Sequence, residues 1–125
     1  VRHIGYVEPA TRRRLYEGAR LLVQPSFEAG FGMPVLEAMP RRVPVVAANR
    51  GALPEVLGDA GPLVDPDQPG QLESAIERMI DDPAFASACA AKGQTRARCF
   101  RWEVTARHVY RVYQLAVDRH QCVSA

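Results

Sequence analysis

The residues best suited to chemistry lie between Pro25 and Met39. Gly30-Phe31-Gly32 forms a flexible turn, Met33-Pro34 opens a helix behind it, and Glu37 follows three residues after Pro34. Proline is tolerated at such an opening because its missing N–H would have had no helical partner. A turn of this kind leaves backbone N–H groups and the positive end of a helix free to stabilise an anion such as a phosphate or diphosphate. The glycines also have a simpler use, since both permit a tight turn and close helix packing. Glu37 has two uses as well. A carboxylate near a helix start gains about 0.3–1 kcal/mol from the dipole and can accept from free amides. It can also bond the vicinal hydroxyls of a ribose or a sugar, and spacing alone leaves both readings open.

For these residues to meet a ligand, flanking elements must carry them to one edge of a sheet. Short apolar runs at Val1–Val7, Leu21–Pro25, Val43–Ala47 and Pro62–Val64 predict four strands, the last three of the doubly buried, parallel kind. Helices are predicted between them at Thr11–Ala19, Met33–Arg41 and Leu53–Leu57. Strict alternation implies an α/β fold with right-handed crossovers, in which ligands bind outside the carboxyl ends of the strands. After Pro66 the pattern is purely helical, with helices predicted at Gly70–Asp82, at Ala84–Arg98 and from Trp102 onward. Trp102, Tyr110 and Tyr113 share one stripe of the last helix and are expected to pack as core, while the polar tail after Val117 is expected to fray.

The chain has 125 residues, 47% of them hydrophobic and 24% charged, which fits a single domain spanning residues 1–125 and excludes disorder, collagen and coiled coil. Net charge is +2, with 15 arginines and one lysine scattered among 14 acids, so no nucleic-acid partner is indicated. Arg12, Arg13 and Arg14 point in different directions on a helix and read as a solvated surface. Cys89, Cys99 and Cys122 lack metal-ligand spacing and read as reduced cytoplasmic thiols, and no metal is expected. His3, His108 and His120 are isolated, and Ser26 has no neighbouring base for a hydrolase triad. No run approaches the roughly 18 apolar residues of a membrane span, which leaves peripheral association with a membrane open. Val1 enters a strand-like run at once, as a piece of a longer protein would.

Pro25-Ser26-Phe27-Glu28-Ala29-Gly30-Phe31-Gly32-Met33-Pro34-Val35-Leu36-Glu37-Ala38-Met39, followed by Val43–Ala47, Gly51–Val56, Gly58–Pro66 and Phe100-Arg101-Trp102-Glu103, resembles the signature of retaining glycosyltransferases of family 4. This is the glycogen synthase and sucrose synthase type, within the group 1 family, and the likeness covers nearly the whole chain. It implies a three-layer Rossmann-like sheet of about four strands with C-terminal helices, the second half of the C-terminal domain of a GT-B fold. That domain holds a nucleotide-sugar donor, here a UDP- or GDP-hexose, from which the hexose passes to an acceptor without metal or other cofactor. The resemblance assigns the ribose of the nucleotide to Glu37, and the donor sugar and diphosphate to the loop of Gly30, Phe31, Gly32, Met33 and Pro34. It also implies that the C-terminal helix reaches toward an N-terminal domain.

Three departures accompany the match. The family's first glutamate falls on Ala29, and Glu28, one residue earlier, is the candidate substitute for it; because neighbouring side chains in extended backbone point to opposite sides, a lost sugar contact is expected. The glycine that normally ends the helix after Glu37, ahead of the strand at Val43–Ala47, is replaced by Arg42, at a cost of about 1 kcal/mol if the left-handed conformation is kept. The family's diphosphate-binding arginine and lysine, and its acceptor domain, lie upstream of this segment, so the isolated chain is expected to be inactive. The first strand must then pair directly with the second, or an open edge must recruit a second copy or the other half of the glycosyltransferase. A non-catalytic nucleotide or sugar-phosphate binding module, and a structural or interaction remnant, are the alternatives in other functional classes.

Overall fold

The computed structural model describes the backbone of residues 1–123 and the side chains of residues 1–119. Three strands, β1 (Leu22–Gln24), β2 (Val45–Ala48) and β3 (Leu63–Val64), form a parallel sheet in the order β1-β2-β3. Leu22 lies opposite Val45, Val23 opposite Val46 and Ala47 opposite Leu63. Helix α1 (Pro9–Gly18) precedes β1, α2 (Met33–Ala38) with a 3₁₀ turn at Met39–Arg41 leads to β2, and α3 (Leu53–Leu57) leads to β3. Three more helices follow: α4 (Pro69–Asp81), α5 (Pro83–Ala97) and α6 (Trp102–Val123).

The central strand explains the layering. All of Val45-Val46-Ala47-Ala48 is buried, and successive side chains leave a strand on opposite faces. Val45 and Ala47 join Val35, Ala38, Leu53 and Leu57 beneath α2 and α3. Val46 joins Val64, Met79 and Cys89 beneath α4 and α5. The sheet is thus sandwiched between two helical layers, the α/β class expected, with three strands in place of about four.

The missing strand is the first. Val1–Val7 forms no ladder, and Val1 and Tyr6 lie in solvent. Gly5 takes φ +63°, a left-handed turn that no extended strand accommodates. No neighbouring strand offers its backbone partners, and the outer edge of β1 stays unpaired among the described residues. The final helix also departs from expectation. It continues through Val123 without stopping at Val117, and Trp102, Tyr110 and Tyr113 are exposed, not core. The stripe is apolar as read; Trp102 at its start borders α2, and Tyr110, Tyr113 and Val117 farther along stay open to solvent among the described residues.

Arg42 adopts the predicted left-handed conformation, φ 59° and ψ 29°, at the end of the 3₁₀ turn. Cys89 is buried and Cys99 exposed, both as free thiols, and burial pushes the Cys89 thiol above its usual value. The side chains of Cys122 and His120 fall outside those described, while His3 and His108 are exposed. Among the described residues no helix is long and apolar enough to cross a membrane.

Candidate functional site

The parallel sheet sends the turns after all three strands to its carboxyl edge, and there the predicted bend is found. β1 ends at Gln24, the chain crosses the edge from Pro25 to Gly32, and α2 begins at Met33. Gly32 caps the helix in a left-handed conformation, φ 85° and ψ 42°. Its carbonyl accepts from Val35 N at 3.0 Å. A Cβ there would stand 2.8 Å from Leu53 Cδ2, so glycine serves both backbone angle and packing. By contrast, nothing approaches within 4 Å of a Cβ on Gly30, and Phe31 and Met33 are each half-exposed. The N–H groups of Gly30, Phe31, Gly32 and Met33 have no backbone acceptor among the described residues.

A second turn braces the first. Ala52 N donates to Ala29 O at 3.1 Å, and a Cβ on Gly51 would come within 2.5 Å of that oxygen. A third is joined through Arg50, whose Nη2 lies 2.8 Å from Asp65 and 2.9 Å from Asp67. The Asp67 N–H holds the Asp65 carboxyl below its ordinary range. This guanidinium is therefore already partnered at the edge.

Glu37, part-buried, faces two side chains from α1. Its Oε2 lies 3.3 Å from Arg12 Nε, and the Tyr16 phenol stands near enough to feel its charge. Burial, and then the Glu37 charge, raise the Tyr16 phenol above 10.0. The phenol therefore stays neutral beside Glu37 until pH rises through the raised value. The Arg41 guanidinium stacks over Tyr16 at 5.8 Å and donates to Glu37 O at 2.6 Å. Of the three arginines read as a solvated surface, Arg12 thus reaches the site. Arg12 and Tyr16 are four residues apart on one helix face, a spacing that could have flagged the pair.

Beside the bend lies a cleft of about 480 Å³ lined by Phe31, Met33, Leu36, Glu37, Phe100, Trp102 and Thr105. The structure therefore brings together Phe31, Met33 and Glu37 as expected, with Gly30, Gly32 and Pro34 forming the bend beside them. It does not bring Glu28 to the cleft; that carboxylate is exposed. Phe100, Trp102 and Thr105 were not predicted as site residues, although Phe100-Arg101-Trp102-Glu103 stood out as a motif.

The profile of the glycosyl transferases group 1 family matches residues 1–96. The chain belongs to that family. It is 39% identical over 115 residues to the O-antigen chain mannosyltransferase B of Escherichia coli, covering 92% of this chain and 30% of that protein. It is 35% identical over 109 residues to an MMP alpha-(1->4)-mannosyltransferase of Mycolicibacterium hassiacum, covering 84% of this chain and 26% of that one. Among solved structures, sucrose-phosphate synthase from Thermosynechococcus elongatus superimposes with TM-score 0.74 at 32% identity, over 83% of this chain and 27% of that one. The C-terminal domain of a glycosyl transferase group 1 family protein from Francisella tularensis gives TM-score 0.66 at 27% identity, over 80% and 51%. The chain thus spans roughly 30% of the length of these curated relatives. Its fold is that of GT-B glycosyltransferase domains.

Proposed function

We propose that this group 1 glycosyltransferase chain is the donor-binding part of a retaining enzyme of family 4, corresponding to the second half of a GT-B C-terminal domain. The observation that carries the reading is the open bend at the carboxyl edge of the sheet. Four consecutive backbone N–H groups, Gly30 to Met33, stand without backbone acceptors beside the Glu37 carboxylate. In this reading those amides meet the diphosphate of a UDP- or GDP-hexose, and Glu37 accepts from the ribose hydroxyls. Free N–H groups pre-aimed at a developing anionic leaving group need no metal to stabilise it. Transfer of the hexose requires an acceptor site and basic groups beyond those gathered here, so the chain alone binds donor without turnover. The unpaired edge of β1 is the place where the remaining strands, or a second copy, would add. The reading places the protein in the cytoplasm, at the membrane periphery when its acceptor is lipid-borne.

A second reading, a nucleotide or sugar-phosphate binding module without catalysis, has one observation in its favour. Ala29 occupies the position of the family's first glutamate, and Glu28 lies outside the cleft. Titration calorimetry of the chain with UDP, GDP, UDP-glucose and GDP-mannose tests both. Binding that weakens at least tenfold in Glu37→Ala supports a nucleotide site. Equal affinity for a nucleotide-sugar and its parent diphosphate favours the second reading, and no binding to any of the four removes both.

A further inference from the structure

We propose that Phe100, anchored by Arg96, is a positioning residue that fixes Phe31 and with it the amides of the bend; the functional part of this rests on the donor-site reading above. Phe31 projects, half-exposed, from a turn flanked by glycines, and Gly30 has open space around it. Such a segment has little of its own to hold one conformation. Phe100 meets the Phe31 ring edge-on, with centroids 6.3 Å apart and planes at 82°. This is the favourable arrangement of two aromatic quadrupoles.

Phe100 is itself held. It sits in the link between α5 and α6, its N–H donating to Ala97 O at 3.1 Å, and the Arg96 guanidinium covers its ring at 5.6 Å. Arg96 is anchored in turn on the last carbonyls of α3. Its Nε donates to Val56 O at 2.7 Å, and Nη2 donates to Glu55 O. A cation at a helix carboxyl end is favoured by the dipole as well as by the orphan carbonyls. Gly58 leaves the room: a Cβ there would stand 2.7 Å from Arg96 Cζ. At the other end of α3, Leu53 packs against Gly32. The contacts therefore close a ring, from Gly32 through Leu53 and α3 to Arg96, Phe100 and back to Phe31. The bend is gripped on two sides by one short helix.

A fixed Phe31 fixes the direction of the neighbouring N–H groups, so a diphosphate meets donors already aimed and loses less affinity to ordering them. A nucleoside monophosphate held through its ribose at Glu37 gains much less from this. The test uses the chain with Phe100→Leu and Phe100→Tyr. Backbone order parameters from NMR relaxation are measured without ligand at residues 30–33, and affinities for GDP-mannose, UDP-glucose, GMP and UMP by calorimetry. In Phe100→Leu the order parameters of the bend fall from about 0.85 toward 0.6 while those of β2 hold. The nucleotide-sugar bound by the parent chain then weakens about tenfold, the matching monophosphate less than twofold, and Phe100→Tyr restores both readouts. Unchanged order at the bend overturns the proposal, as does an equal loss of nucleotide-sugar and monophosphate, or a failure of tyrosine to rescue. If the bend loosens but the parent chain binds no nucleotide, the mechanical role of Phe100 stands and the donor-site reading falls.

Discussion

The centre of the sheet and the last helix are built from similar apolar residues and meet opposite fates. Val46 in β2 and Leu57 in α3 are wholly buried, whereas Trp102 and Tyr113 in α6 are 81% and 67% exposed. Both regions show the periodicity of their secondary structure. The difference is that β2 has a helical layer on each face, whereas among the described residues the stripe of α6 only borders a cleft at Trp102 and lies open beyond it. Periodicity thus reveals which face of an element is apolar, and only the rest of the fold decides whether that face is covered.

Three substitutions probe this contrast, beginning with the largest effect. Leu57→Ala removes a side chain from the sealed core between α3 and the sheet and is expected to cost about 2–5 kcal/mol in urea unfolding; a loss below about 1 kcal/mol would mean that this core is looser than its burial indicates. Arg42→Gly acts at the entrance to β2, where the backbone is left-handed. Relief of roughly 1–2 kcal/mol of strain, less glycine's larger unfolded-state entropy of roughly 0.5–1 kcal/mol, predicts a gain of up to about 1.5 kcal/mol by the same measurement. Tyr113→Ser on the uncovered stripe is expected to change stability by less than about 0.5 kcal/mol. A larger loss there would show that α6 is covered in solution and would erase the contrast.

Much of the fold was legible in the sequence because it is fixed locally. Proline and glycine punctuation set α3 at the predicted Leu53–Leu57, and the other helices begin within two residues of expectation. The strands were recognisable as continuous apolar runs. The exception shows the limit of such reading, since Val1–Val7 has strand-like composition but a strand needs a neighbour, and Gly5 turns the chain away. At the site, the bend and Glu37 could be read from short-range motifs. Arg12 and Tyr16 share a helix face, and Phe100 and Trp102 a motif, but their union with the bend was not legible, because it arises only when α1 and the α5–α6 link fold back onto α2.

The close approach of Gly51 to Ala29 ties two turns of the rim together. Residue 51 must lack a side chain, and residue 29 contributes its carbonyl to the brace while its own side chain takes no part in the hydrogen bond. The scaffold therefore depends on the peptide at position 29, and the Ala29 side chain itself packs, partly buried, against the core. A side chain added at residue 51 would push two turns of the rim apart at once.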